Sequence, residues 1–382
     1  MSTLKVDSIV SENGGATTSI NGFTPSVSNM AGRNRIINGD MRIDQRNAGA
    51  SVTITDAVNI TYTLDRWNVY GSVASKFSVQ QNAGSVTPPV GFTNYLGATS
   101  LSAYSVGSSE TYVIQQYIEG FNVADLGWGT ANAKTVTISF WVRSSLTGTF
   151  GGALRNSAFN RSYPFSYTIS SADTWEYKTV TVAGDTSGTW LTNNGIGIRL
   201  VFSLGTGSTL SGTSGAWAGS SLLSATGATS VIGTSGATFY ITGVQLEGGS
   251  VATPFEHRQY GQELALCQRY YWRIYSSGSN SPFAAGNAEN TTRGYINLTS
   301  PQPMRTQPSC SISNISHLAL RGIGADVACT SGSFNGGSVS AAMPTIIGGE
   351  FNTGSATGAP AGGCVKMSWN NAAGWIDASA EL

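Results

Sequence analysis

Short segments in which polar and apolar residues alternate recur along most of this chain, and they set the fold class. Residues 135–142 alternate Thr or Ser with Val, Ile, Phe and Trp, and residues 112–118, 196–204 and 238–246 are equally rich in β-branched and aromatic side chains. This period of two is typical of strands with one buried face. The pattern predicts an all-β protein with about eight strands in an antiparallel jelly-roll β-sandwich.

Changes in pattern divide the chain into three predicted parts. Residues 1–32 form an N-terminal segment, residues 33–255 form the jelly-roll β-sandwich, and residues 256–382 form a smaller C-terminal β-domain. The stretch 256–275 contains the most convincing helical pattern in the sequence. We therefore expect one short helix to link the sandwich to the C-terminal domain.

The N-terminal segment carries a short apolar strip formed by Leu4, Val6, Ile9 and Val10, followed by turn-forming residues. One or two strands of this length cannot build a core of their own. The segment is either a frayed tail or a docking element that becomes ordered against another protein or against sister chains. We expect the second role, with the four apolar residues at the contact.

Residues 205–237 interrupt the strand pattern with a stretch rich in Gly, Ser and Thr. Such composition is typical of a flexible linker. However, this stretch also contains Trp217 and the pair Leu222 and Leu223, which need burial. We therefore predict a long ordered loop, and loops of β-sandwiches frequently carry binding surfaces.

Charge limits the possible partners. Lys plus Arg is 20 and Asp plus Glu is 20, so the net charge is +0, and charged residues are only 10% of the chain. A neutral chain has no field that would gather phosphates, which argues against nucleic acid as a partner. Few charged groups also mean poor colloidal solubility for a monomer. We expect an obligate oligomer in which subunit contacts bury exposed strand edges.

No pattern indicates a metal site, a cofactor or a membrane segment. The cysteines lack C-x-x-C spacing, and only His257 and His317 could act beside them as metal ligands. No strong acidic cluster predicts a structural calcium. Four reduced, mostly buried thiols are expected in a chain that matures in the cytosol. No apolar run approaches ~18 residues and no signal peptide is recognisable, so membrane insertion is not expected. The cysteines are Cys267, Cys310, Cys329 and Cys364.

Catalytic chemistry is also weakly supported. Glycoside hydrolysis needs two carboxylates at a defined separation, and Glu119 and Asp125 are the nearest such pair in a loop-like stretch. An Asn- and Gly-rich corner whose side chains satisfy turn amides explains them better. The chain has no G-x-S-x-G sequence and no phosphate-binding or dinucleotide fingerprint. We predict that the protein is not an enzyme and has no catalytic residues.

Several strings resemble those of phage minor structural and tail-fibre proteins. They are NRIINGDMRIDQRNAGA at 34–50, YTLDRW at 62–67, FYITGVQLEGGSVATPFEHR at 239–258, QELALCQRYYWR at 262–273, PMRTQPS at 303–309 and the ending IDASAEL. The resemblance implies a virion protein, assembled in the host cytoplasm, with a jelly roll like that of carbohydrate-binding modules. By analogy with phage fibres it also implies a homotrimer. The head LKVDSIVSENGGA is similar to segments that anchor fibres to other virion proteins.

Sugar binding is the site chemistry that the residues favour. Neutral saccharides stack on aromatic faces and hydrogen bond to amide and carboxylate side chains. Four tryptophans beside turn residues are the glycan-binding candidates, although each taken alone is more often structural: Trp128, Trp190, Trp217 and Trp375. The expected function is a phage tail fibre that adheres to host-surface glycan. The alternatives are a capsid fibre or decoration protein with a purely structural role, and a glycan depolymerase tailspike.

Overall fold

The computed structural model describes residues 32–57, 59–335 and 345–382. The chain divides into two compact units, residues 1–258 and residues 259–382. The N-terminal segment with Leu4, Val6, Ile9 and Val10 lies outside the described residues, so its docking role stays a prediction.

The described part of the first unit contains fourteen strands and four 3-10 helices. The strands are β1 (Val52–Thr53), β2 (Thr61–Leu64), β3 (Trp67–Gly71), β4 (Phe77–Gln81), β5 (Leu96–Ser100), β6 (Thr111–Glu119), β7 (Val136–Ser144), β8 (Gly148–Arg155), β9 (Ser162–Ile169), β10 (Glu176–Val182), β11 (Ile196–Thr206), β12 (Ser211–Gly212), β13 (Ser224–Ala225) and β14 (Thr238–Gly248). The 3-10 helices are Ala83–Ser85, Gly120–Asn122, Ala124–Leu126 and Ser208–Leu210.

Two six-stranded antiparallel sheets form the first unit, as the strand pattern predicts. One has the order β1-β4-β5-β14-β7-β10 and the other has the order β2-β3-β6-β11-β8-β9. The neighbours in each sheet are mostly distant in sequence, because the chain passes repeatedly from one sheet to the other. The all-β class and the jelly-roll sandwich are therefore confirmed.

The core of this unit lies between the two sheets. On β7, Val136, Ile138, Phe140 and Val142 are fully buried on the inward face. The Phe140 ring packs edge to face on Phe202 of β11 at 5.0 Å between ring centroids. Burial of this apolar surface is the main driving force for the sandwich.

The Gly- and Ser-rich stretch 205–237 is an ordered loop, as its Trp and Leu residues predict. It contains the short parallel pair β12 and β13. Leu223 packs with Val113 and Val201, which point outward from the second sheet. The loop therefore covers part of the outward face of the sheet that contains β6 and β11.

The second unit begins with the single α-helix of the described residues, α1 (Tyr260–Gln268). Its strands are β15 (Tyr271–Tyr275), β16 (Ser281–Asn290), β17 (Arg293–Thr299), β18 (Ser309–Ile312), β19 (Leu318–Arg321), β20 (Val327–Asn335), β21 (Ile346–Thr353), β22 (Cys364–Trp369) and β23 (Trp375–Ser379), and a 3-10 helix spans Ile315–His317. Six strands close a barrel in the order β16-β17-β21-β20-β19-β22, and β15-β23-β18 form a separate sheet.

The C-terminal barrel has its own hydrophobic core. Ile296, Phe351, Met367 and Trp369 belong to one buried cluster, and Phe283 stacks on Trp369 at 4.4 Å between ring centroids. Barrel closure buries the inward side chains of these strands within one chain.

No helix in the described residues is long and apolar enough to cross a membrane. No group of three or more His, Cys, Asp or Glu side chains in the same residues is arranged to hold a metal ion.

Candidate functional site: an arginine groove on the outer sheet face

The outward face of the second sheet contains a groove of about 300 Å³, which we call the arginine groove. A volume of this size is at the lower limit of typical small-ligand sites. Aromatic, amide and guanidinium groups line it, and the described residues contribute no carboxylate. The lining residues are Ile60, Tyr70, Thr111, Val113, Gln115, Tyr117, Arg155, Phe159, Arg199, Ser221 and Leu223.

Strand register brings the polar lining residues together. Arg199 on β11 lies directly opposite Tyr117 on β6 and also opposite Arg155 on β8. Two residues further along the same faces of these strands, Gln115 on β6 lies opposite Val201 on β11. Because side chains two residues apart share a face of a strand, these pairs project into one groove although their residues are up to 86 positions apart in sequence.

Aromatic rings pack against the guanidinium groups of both arginines. The Arg199 guanidinium carbon lies 4.4 Å from the centroid of Tyr117 and 4.1 Å from the centroid of Phe159. The Arg155 guanidinium carbon lies 4.8 Å from the same Phe159 centroid. Cation–π contacts of this kind favour a positive charge over the face of a ring. The two cations therefore converge on Phe159 from neighbouring strands.

Burial perturbs the electrostatics of the arginine groove. It lowers the pKa of Arg155 to about 10, and the adjacent positive charge of Arg199 adds to this effect. Burial also lowers the pKa of Arg199, although Tyr117 opposes the shift. Both guanidinium groups nevertheless remain charged at neutral pH. The groove thus contains two cations held close together in a partly desolvated site.

A strained turn positions Phe159. Asn156, at the end of β8, accepts hydrogen bonds through its Oδ1 from the backbone N–H groups of Asn160 and Arg161, at 3.2 and 3.1 Å. Inside this turn Phe159 has φ +58°, a left-handed conformation that is unusual for a bulky side chain. Its ring is 45% exposed. The turn therefore places a partly exposed aromatic residue against the two arginines.

The loop 205–237 forms one wall of the arginine groove. The Ser221 hydroxyl accepts a hydrogen bond from Arg155 Nη2, and Leu223 is a lining residue. On the floor, Gln115 Nε2 donates to the Tyr117 hydroxyl at 3.0 Å. The groove consequently combines apolar walls with a few fixed polar groups, which is typical of ligand sites.

A larger cavity of about 430 Å³ in the same unit is less suited to a ligand. Three of its charged groups already have partners in the protein: Arg35 Nη2 lies 2.9 Å from Asp125 Oδ2, and Glu247 accepts hydrogen bonds from the backbone N–H and hydroxyl of Thr253. Its lining contains no aromatic ring. These pairs stabilise the local structure and leave little unused binding capacity.

Three of the four tryptophans proposed as glycan contacts form one cluster outside the arginine groove. The ring centroids of Trp128, Trp190 and Trp217 are 4.7 to 5.5 Å apart, with edge-to-face geometry. The sequence predicts exposed rings here, but Trp128 and Trp190 are only 7% and 9% exposed. Their indole N–H groups bond to the Lys134 and Ser187 carbonyls, so the rings are buried without losing a hydrogen bond.

Trp217 is half-buried and donates to the Ala183 carbonyl at 2.8 Å. Trp375, in the C-terminal unit, is also half-buried, and the Arg273 guanidinium carbon lies 4.2 Å from its ring centroid. Neither lines the arginine groove. A glycan-binding role for the four tryptophans stays a prediction.

The two carboxylates considered for catalysis have other roles. Glu119 ends β6 and is only 1% exposed, whereas Asp125 lies in the 3-10 helix Ala124–Leu126 and pairs with Arg35. Neither is a lining residue of the arginine groove.

Sequence reasoning did not identify Arg155, Arg199, Tyr117 or Phe159 as site residues. One signal was present. In a chain with 10% charged residues, Arg199 is a lone cation inside the strongly apolar segment IGIRLVFS. A charged residue at an outward position of a buried strand needs a partner or a function.

Comparisons with known proteins give fold similarities only. No protein-family model matches the chain, and no curated protein matches its sequence. Among solved structures, the enzymatically active domain of tailspike protein 4 of bacteriophage CBA120 matches with TM-score 0.32 and 10% identity. That match covers 56% of this chain and 21% of the tailspike chain, so it spans about a fifth of that protein.

Two carbohydrate-binding modules match nearly over their whole length. TmCBM61, solved with β-1,4-galactotriose, has TM-score 0.28 and 11% identity, and the match covers 56% of this chain and 99% of that one. A family 11 module from Clostridium thermocellum, solved with a β-1,3-1,4-mixed-linked tetrasaccharide, has TM-score 0.25 and 12% identity, with 54% and 97% covered. At these identities and TM-scores the comparisons assign no function to this chain.

Proposed function

We propose that this chain is a glycan-binding protein, and that its sandwich unit holds a saccharide in the arginine groove. The observation that carries the proposal is the composition of that groove. It combines Phe159, which is 45% exposed, with the half-buried residue Tyr70 and with the hydrogen-bonding groups of Gln115. Sugar rings stack on aromatic faces through their C–H bonds while side-chain amides and guanidinium groups bind their hydroxyls.

The biological setting that we propose is a phage virion, where the chain acts as a homotrimeric fibre adhering to host-surface glycan. Support comes from the resemblance of the segments 34–50, 239–258 and 262–273 to phage tail-fibre proteins. The N-terminal segment would attach the fibre to other virion proteins. A tail fibre is favoured over a capsid decoration because a decoration with only structural contacts has no use for a ligand groove.

We also propose that the protein binds its glycan without cleaving it. Glycosidases need an acid and a second carboxylate on opposite sides of the scissile bond. In the part of the chain that the structure describes, neither Asp nor Glu lines the arginine groove. A glycan held there would meet aromatic rings, amides and guanidinium groups, which bind saccharides but do not supply this pair of carboxylates.

A binding experiment with the full chain tests the proposal. Purified protein is applied to an array of bacterial surface oligosaccharides, and every binding saccharide is then titrated by calorimetry. The Phe159→Ala variant should bind at least about tenfold more weakly, because it loses the stacking ring.

Tyr177→Ala is the matched control for this experiment, since Tyr177 is 43% exposed but lies on β10 of the other sheet. It should bind as the unchanged chain does. Binding that Phe159→Ala leaves intact would contradict the proposal, and so would a complete lack of saccharide binding.

A further inference from the structure

The arginine groove contains two positive charges that the protein does not neutralise. Among the described residues, neither Arg155 nor Arg199 forms an ion pair, and the Nε atoms of both are buried without a hydrogen-bond partner. Arg155 is 4% exposed and Arg199 is 9% exposed. Burying charge without a counter-charge is unfavourable, and placing two like charges side by side adds to the cost.

The surrounding residues hold these side chains without satisfying their charge. Phe159 and Tyr117 contact the guanidinium faces, and Ser221 accepts one hydrogen bond from Arg155. A planar guanidinium with free N–H groups matches the oxygens of a carboxylate, sulfate or phosphate, often through two parallel hydrogen bonds. A neutral sugar hydroxyl would accept a hydrogen bond but would leave both charges uncompensated.

We propose that the arginine groove selects acidic saccharides, with the anionic substituent of a sugar bound between Arg155 and Arg199 and its ring against Phe159. This inference rests on the proposed function and specifies its ligand class. The acidic group is a carboxylate, as in uronic and ulosonic acids, or a sulfate ester. These groups share the negatively charged oxygens that the two guanidinium groups require.

The experiment compares matched pairs of oligosaccharides that differ only in the charged substituent. The pairs are trigalacturonic acid and its methyl ester, sialyllactose and its methyl ester, and sulfated lactose and lactose. Affinities for the full chain are measured by calorimetry. The acidic member of at least one pair should bind at least about tenfold more tightly than its partner, and the pair that responds distinguishes carboxylate from sulfate.

Variants connect this preference to the two arginines. Arg199→Met and Arg155→Met keep most of the side-chain packing and remove the charge, and each should reduce the preference for the acidic member by at least about tenfold. Lys76→Met is the matched control: Lys76 also lies over an aromatic ring, at 4.5 Å from the Tyr104 centroid, but outside the groove. It should keep the full preference.

The outcomes separate the two proposals. Equal affinity for both members of every pair, or a preference that survives in both Met variants, would overturn the acidic-ligand inference while leaving glycan binding intact. A lack of binding to every saccharide, neutral or acidic, would overturn both.

If a Met variant fails to fold, Arg199→Lys and Arg155→Lys replace it. They retain the charge but lose the planar fork, and they should bind the acidic member more weakly.

Discussion

Arg155 and Arg199 lie directly opposite each other on the neighbouring strands β8 and β11, and both guanidinium groups contact the ring of Phe159. Two adjacent cations without a carboxylate partner do not contribute to stability in the way that an ion pair does. Their presence on the outward face of a sandwich is better explained by a ligand, and several consequences can be measured.

Removing one of the two charges should not destabilise the protein. Burial lowers the pKa of Arg155 to about 10, so below about pH 10 its charged form is less favourable in the folded chain than in the unfolded one. Arg199→Met removes the neighbouring charge and retains much of the packing. We expect the free energy of unfolding of the sandwich unit to stay the same or rise by about 1 kcal/mol, measured by denaturant titration at pH 7. A loss above about 2 kcal/mol would mean that the arginine pair is a structural element.

The left-handed conformation of Phe159 should cost stability. A non-glycine residue in this region costs about 1–2 kcal/mol relative to glycine. Phe159→Gly and Phe159→Ala both delete the ring, so the difference between them reports the backbone strain at φ +58°. We expect the glycine variant to be more stable than the alanine variant by about 1 kcal/mol, and both to lose saccharide affinity. Equal stabilities would show that the turn relaxes when the ring is removed.

Saccharide affinity should not change with pH near neutrality. Among the residues that the structure describes, no His, Asp or Glu lines the arginine groove, and the pKa of Arg155, at about 10, keeps this group charged near neutrality. Sugar carboxylates, with pKa values near those of Asp and Glu at about 4, are ionised throughout this range. Calorimetric titrations of an acidic saccharide from about pH 5.5 to about pH 8.5 should give constant affinity. A change centred near about pH 6.5 would point to a histidine that the proposed groove does not contain.

The cluster of Trp128, Trp190 and Trp217 should act on stability and not on binding. Trp190 is 9% exposed and contacts both other rings. Trp190→Ala is expected to lower the free energy of unfolding by about 3–5 kcal/mol, as for other buried Trp truncations. The milder Trp190→Phe and Trp217→Phe variants should keep saccharide affinity within about twofold. If the Phe variants fold normally but lose binding, these rings contact the glycan after all.

The oligomeric state is a separate prediction. Native mass spectrometry of the full chain should give a species of three copies of the 39.7 kDa subunit. The physical reason is that burying exposed strand edges and charge-poor surface between copies limits aggregation. A stable monomer at micromolar concentration would contradict the homotrimer without affecting the saccharide site.

The sequence predicted the sheets better than the site. The segments 112–118, 135–142, 196–204 and 238–246 correspond to β6, β7, β11 and β14, because their β-branched and aromatic residues alternate clearly. Strands β8 and β9 were missed. Gly151 and Gly152 interrupt the alternation in β8, and a Cβ on Gly152 would lie 2.3 Å from the Val201 carbonyl oxygen. Close packing, and not strand propensity, determines the residues there.

Missing β8 also meant missing the site. Arg155 ends that strand and Phe159 follows in the next turn, so neither could be placed on the same face as Arg199 without the β8–β11 register. The burial of the tryptophans could not be predicted from the sequence either. Trp128, Trp190 and Trp217 come from segments up to 89 residues apart, and only the tertiary structure shows that they bury one another.

A crystal structure of the full chain with a bound acidic oligosaccharide tests the account most directly. The saccharide would be the tightest binder among the matched pairs described above. We predict electron density for a sugar ring against Phe159, with its anionic substituent within hydrogen-bond distance of both Arg155 and Arg199. Density for the saccharide elsewhere on the chain, with the arginine groove left occupied by solvent, would contradict it.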